Sequence, residues 1–210
     1  MLTVVGLGNP GASYRNTRHN VGFMVLEGMA EGRFTGEAVY RKSGTDTVRS
    51  TSGKAARFRR TTGPYVIFEG ELSGTPFLLV KPTTYMNESG RAFTSLVSRG
   101  MLNNLGELLV VVDDVNLELG RMRFRERGSA GGHNGLKSVI DALGSEEFAR
   151  LRIGTGPRPG GADMVDHVLG PFLPEERGIM EEALGHASRC IEMWITGGSE
   201  YARKELSNIL

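Results

Sequence analysis

Residues 2–7 form a short run of apolar and β-branched side chains that breaks into Gly8-Asn9-Pro10-Gly11, the pattern of a buried strand entering a tight loop. From Asn20 onward, Val21, Met24, Val25 and Met29 recur at helical spacing, with Asn20 expected as the N-cap. Strands are predicted at 65–69 and 75–80, joined as a hairpin around Ser73-Gly74, and again at 108–112. In 121–125, arginines alternate with Met122 and Phe124, so a period of two sends Met122 and Phe124 to the core and Arg121, Arg123 and Arg125 to solvent. Residues 136–143 read as a helix and 151–155 as a strand. Met180, Ala183, Leu184, Ala187, Ile191 and Trp194 then form one long apolar stripe, with Trp194 in the core. Strands alternating with helices, with no internal repeat, predict an α/β fold.

A chain of 210 residues suits one well-buried core, so a single domain over 1–210 is expected. Lys and Arg total 25 against 24 Asp and Glu. A nucleic-acid partner must therefore be recognised by where the charges sit rather than by their sum. The uneven stretch is 41–60, with seven Lys or Arg against one Asp, expected as an inserted loop or extended hairpin. Cys190 is the single cysteine, which excludes an internal disulfide framework and a thiolate metal cage and fits a reducing compartment. No run approaches the roughly 18 apolar residues of a membrane span, and the start lacks a basic leader, so a soluble, cytoplasmic protein is expected.

Three loops, 8–20, 81–90 and 128–135, stand out because each follows an apolar run and carries Asn or His together with glycine. Ligands of open α/β sheets bind outside the carboxyl ends of strands. Gly6, Gly8 and Gly11 fall at G-x-G-x-x-G spacing, but that string alone is a weak signal and the loop lacks a P-loop lysine, so no nucleotide cofactor is expected. His19, at the mouth of a helix, is either a base active near neutral pH or a capping residue. Asp113 and Asp114 end a strand, where a carboxylate can orient an imidazole or simply close a turn. Asn87 and Asn134 offer amides for hydrogen bonding or turn chemistry. His133 reads as structural within its glycine loop, and His167 and His186 as surface or helix-face residues. No Ser or Cys sits in a nucleophile elbow and no carboxylate cluster suits two metals. What remains is a histidine base, a carboxylate to hold it, asparagines and exposed arginines. That set suits attack of water on an activated acyl carbonyl carried by a nucleic acid.

Four strings occur together and in order: Val5-Gly6-Leu7-Gly8-Asn9-Pro10-Gly11 with Tyr14 and Thr17-Arg18-His19-Asn20; Lys81-Pro82-Thr83-Thr84-Tyr85-Met86-Asn87-Glu88-Ser89-Gly90; Gly131-Gly132-His133-Asn134-Gly135-Leu136-Lys137; and Leu151-Arg152-Ile153-Gly154. Over nearly its whole length the chain resembles the bacterial-type peptidyl-tRNA hydrolases. The resemblance implies a three-layer α/β/α domain around a twisted mixed sheet. It implies hydrolysis of the ester between a peptide, or an N-blocked amino acid, and the 3′ ribose of tRNA, by activated water, without covalent intermediate, metal or cofactor. Carried over by position, it makes His19 the base and Asp113 its partner. Asn9, Asn87 and Asn134 become substrate-positioning amides, Tyr14 and Met86 site walls, and Arg125 and Arg152 a grip on the acceptor end, with Arg123 on the same basic strand face. A monomer acting on peptidyl-tRNA in the cytoplasm is expected. The alternative is a catalytically silent RNA-binding relative serving RNA processing, against which the joint retention of His19, Asp113, Asn9, Asn87 and Asn134 argues. The chain departs from the family pattern at Val112 and Asn116, where the family often carries His and Asp. Its stretch between His19 and Met86 is also longer than typical, and 41–60 carries the excess.

Overall fold

The computed structural model describes residues 1–34, 39–41, 57–60, 63–161 and 163–209, with 39–41 and 57–60 described by backbone alone. Among these residues the strands are β1 (Leu2–Gly6), β2 (Val39–Arg41), β3 (Arg57–Arg60), β4 (Tyr65–Leu72), β5 (Thr75–Pro82), β6 (Leu108–Asp114), β7 (Met122–Arg125) and β8 (Ala149–Gly154). They form one mixed sheet in the order β2-β4-β5-β1-β6-β8-β7, with β3 also on β4. The neighbours β5, β1, β6 and β8 run parallel, while β4 and β7 are antiparallel at either side. The parallel centre needs both faces covered. Leu109 and Val111 of β6 enter one core and Leu108, Val110 and Val112 the other, so a run apolar at every position feeds two layers.

One layer holds α1 (Val21–Ala30) and α5 (Arg177–Ile209), the latter broken at Gly198. The stripe from Met180 to Trp194 lies in that core, Trp194 included. The opposite layer holds α3 (Asn134–Leu143) and α2 (Gly90–Ser98). The apolar pattern had not singled out α2, although Ala92, Phe93 and Leu96 form its buried stripe. A short helix, α4 (Met164–Leu169), buries none of its residues. The hairpin turns at Ser73 and Gly74, both at positive φ, and Met122 and Phe124 alternate inward as the period of two required. No helix among the described residues is long and apolar enough to cross a membrane.

Two expectations change. The middle of 41–60 lies outside the described residues. Its flanking strands β2 and β3 run in the same direction along the same edge of β4, so they are not the two arms of one hairpin. Asn20 precedes α1 but makes no side-chain cap, because its amide is engaged elsewhere, as described below. Cys190 is buried, with its thiol 3.7 Å from the carbonyl of Ala202, and burial pushes its pKa up to about 12.

Candidate active site

His19 lies in a 3₁₀ turn, Arg18–Asn20, that runs directly into α1. That helix starts against the ends of β1 and β6: a Cβ on Gly22 would come within 2.5 Å of the Leu7 carbonyl oxygen and 2.6 Å of that of Val111. The missing side chain brings the His19 turn onto the carboxyl edge of the sheet, where Asp113 is the penultimate residue of β6. His19 Nδ1 lies 2.8 Å from Asp113 Oδ1. An ionised carboxylate only accepts, so Nδ1 carries the proton and Nε2 is left as an acceptor. Burial, which raises the pKa of Asp113, is outweighed by the imidazoles of His133 and His19, which hold it well below the usual carboxylate range.

His133 is the residue the sequence reading missed. Its Nε2 lies 3.0 Å from the same Asp113 oxygen, and its Nδ1 accepts the backbone N–H of Leu136 at 3.1 Å, capping α3. Its place immediately before the apolar run of α3 was the available signal. The nitrogens of both histidines and the Asp113 oxygen lie within 4.8 Å of one another, a spacing that could suit a metal ion. The tautomer opposes this. With Leu136 donating to Nδ1, the ring proton of His133 sits on Nε2, and a metal there would have to strip the imidazole of its only N–H. The arrangement is a hydrogen-bonded His-Asp-His row.

Asn9, buried after β1, is fixed on three sides. Its N–H donates to Asn20 Oδ1 at 2.8 Å, its carbonyl accepts from Asn20 Nδ2 at 3.0 Å, and its Oδ1 accepts the N–H of Met86 at 2.8 Å. The reciprocal pair is what occupies the Asn20 amide. With Oδ1 engaged by Met86, the Nδ2 donors of Asn9 remain for a ligand, and Asn9 borders a cavity of about 230 Å³ with Arg15, Phe23 and Lys81. Asn87 and Asn134 are exposed, and no described residue engages their amides. Tyr14 packs edge-on against Tyr85 with ring centroids 6.5 Å apart. Met86, expected as a wall, is instead 4% exposed and packed in the core, and it serves the site through its backbone N–H. A second cavity, about 310 Å³, is bordered by His19, Asp113, His133, Asn134 and Arg152, and by Met164 and Val165 of α4.

A family model for peptidyl-tRNA hydrolase matches residues 3–209. The chain belongs to the peptidyl-tRNA hydrolase family. It is 40% identical over 202 residues to the peptidyl-tRNA hydrolase of Agathobacter rectalis, covering 96% of this chain and 97% of that one. It is 42% identical to that of Carboxydothermus hydrogenoformans, covering 99% and 98%. The crystal structure of peptidyl-tRNA hydrolase from Acinetobacter baumannii matches with a TM-score of 0.80 at 26% identity, covering 98% of this chain and 94% of that one.

Within this peptidyl-tRNA hydrolase fold the three predicted arginines separate. Arg123 and Arg125 project outward on β7, exposed. Arg152, directly across from Arg123 in register, is instead largely buried. One of its terminal nitrogens lies 3.3 Å from Asp114 Oδ2, and the other donates to the carbonyls of Ser129 and Ala130 at 3.1 Å. Arg152, expected to grip the acceptor end, also braces the glycine loop that carries His133. Arg150 is fully buried, with the carbonyls of Gly128, Ser129, Glu146 and Phe148 as acceptors. Burial, with Arg152 beside it, lowers its pKa to about 10, and the guanidinium stays charged at neutral pH. At the two departures from the family pattern, Val112 is core, and Asn116 closes a turn by donating its N–H to Asp114 Oδ1 at 2.9 Å.

Proposed function

We propose that the chain hydrolyses the ester joining a peptide, or an N-blocked amino acid, to the 3′ ribose of tRNA, with His19 as general base. The observation that carries this reading is the 2.8 Å His19–Asp113 bond, which leaves Nε2 of His19 as an acceptor beside the 310 Å³ cavity. A water held there gives a proton to Nε2 as its oxygen adds to the ester carbonyl carbon. The tetrahedral intermediate then collapses, the bond from carbon to ribose oxygen breaks, and the proton on Nε2 passes to the departing oxygen. Such base catalysis contributes typically about 10²- to 10⁴-fold. Ionised Asp113 keeps the tautomer productive and stabilises the imidazolium as it forms. The amides of Asn9, Asn87 and Asn134 supply neutral donors for the substrate and the developing oxyanion.

Arg123 and Arg125 supply exposed positive charge for tRNA phosphates, which position a nucleic acid without reading its sequence. We take the protein to act as a single-domain monomer in the cytoplasm. A silent RNA-binding relative is not favoured, because an assembled base-and-carboxylate pair has no use in binding alone. Release of an N-acetyl-aminoacyl group from its tRNA by purified protein, with His19→Ala alongside, tests the assignment. Turnover lost in the variant while tRNA binding persists is the expected result, and turnover near the parent rate would show that His19 is not the base.

A further inference from the structure

His19 is the partly exposed middle residue of a turn whose two flanking residues are both buried. Asn20 is tied to the loop after β1, as described. Arg18 is tied elsewhere. One terminal nitrogen donates to the carbonyl of Thr155 at 2.8 Å, the other meets Glu176 Oε2 at 2.6 Å, and the guanidinium lies 4.9 Å over the ring of Phe172. The backbone joins in: the Arg18 N–H donates to Gly170, and Thr17 bridges Pro171. Glu176 is held in turn, since the same Oε2 accepts the N–H of Leu173 at 2.7 Å. Thr155, whose carbonyl accepts from Arg18, donates its own N–H to the carbonyl of Asp114, at 3.2 Å. A continuous path therefore runs from the residue before His19, through Thr155, to the residue after Asp113.

We propose that Arg18 is a positioning residue for the reaction: its forked contacts with Thr155 and Glu176 set the spacing between His19 and Asp113 and thereby fix which nitrogen of His19 is free to accept a proton. This rests on His19 being the base. A buried guanidinium with two directional partners is suited to the task because its planar fork loses little freedom per bond formed, whereas an ammonium satisfies the same two acceptors without fixing an angle. Breaking a buried pair costs stability whatever its role. The positioning role is therefore read from what the folded molecules do.

The test uses Arg18→Lys, which retains the charge but not the fork, and Glu176→Gln, a milder change at the more exposed partner. kcat and KM are measured on N-acetyl-aminoacyl-tRNA, and the His19 tautomer is read from its imidazole 15N shifts. Positioning predicts that kcat per folded molecule falls on the order of ten- to a hundredfold in Arg18→Lys with KM nearly unchanged. It also predicts that the single Nδ1–H tautomer of the parent becomes a mixture, with Glu176→Gln showing the same signature more weakly. A lower Tm with parent kcat and a single tautomer in the folded variants overturns the proposal. If Arg18→Lys does not fold, Glu176→Gln decides by the same readouts. The tautomer signal needs no turnover, so His19→Ala run in parallel separates failure of Arg18 as positioner from failure of His19 as base.

Discussion

His133 Nε2 and His19 Nδ1 lie 3.0 and 2.8 Å from one and the same oxygen of Asp113. The second imidazole also caps α3, so a substitution there has two separable effects. His133→Ala should lose about 1 kcal/mol of stability with the cap and slow turnover on the order of tenfold, the equivalent of about 1.4 kcal/mol in the barrier. His133→Asn retains a capping oxygen and should recover stability but not rate. Urea midpoints and kcat for both variants check this; parent kcat in both would remove His133 from the site.

The carboxyl of Asp113 is held below its unfolded value, because the two imidazoles outweigh the effect of burial. A depressed carboxylate contributes stability that is complete above its unfolded pKa of about 4 and is lost as the pH falls below it. Parent Tm should therefore drop on acidification through that range, and Asp113→Asn should flatten this part of the curve while nearly abolishing turnover. Identical acid limbs of Tm in the two proteins would contradict the linkage.

Asn20→Ala leaves the buried N–H and C=O of Asn9 without their partners, at a cost of about 1–3 kcal/mol for each buried group left unsatisfied. The Asn9 amide loses its seat as well, so kcat should fall further than in Asn87→Ala, where no packed network is disturbed. Tm and kcat for the two variants make the comparison. If Asn20→Ala is only less stable and turns over at the parent rate, Asn9 does not act through a fixed amide.

Arg123→Ala and Arg125→Ala change exposed side chains, whereas Arg152→Ala removes a brace from Asp114 and two carbonyls. The first two should leave Tm unchanged and reduce the log–log salt slope of tRNA affinity by about 0.7–0.9 per lost phosphate contact. The third should lower Tm. Unchanged salt slopes in the β7 variants would place the tRNA on another face.

The sheet was legible because strands buried on both faces read as unbroken apolar runs, and because the edge strand β7 alternates strictly. The helix α2 escaped because its start lies inside the motif ending at Gly90, which reads as loop. His19 and Asp113 stood out through their positions at the mouth of a helix and at a strand end. His133 did not: its place before the apolar run of α3 marks a cap, but its contact with Asp113, 20 positions away, forms only in the fold. The brace that Arg152 makes was hidden because its partner Asp114 lies 38 positions away and becomes a neighbour only when β6 and β8 pair. The ties of Arg18 reach 158 positions, across the whole fold. Contacts set by topology are invisible to local periodicity.

The lone thiol offers an experimental handle. Burial pushes the Cys190 thiol up to about 12, so it stays protonated and unreactive at pH 7, and it is sealed in the α5 core. Alkylating reagents should pass the native chain by while it stays folded, so a cysteine introduced at exposed Val165 on α4, which borders the same cavity as His19, would be the sole reactive position. A fluorophore there would report directly on whatever enters that cavity, with no background to engineer away.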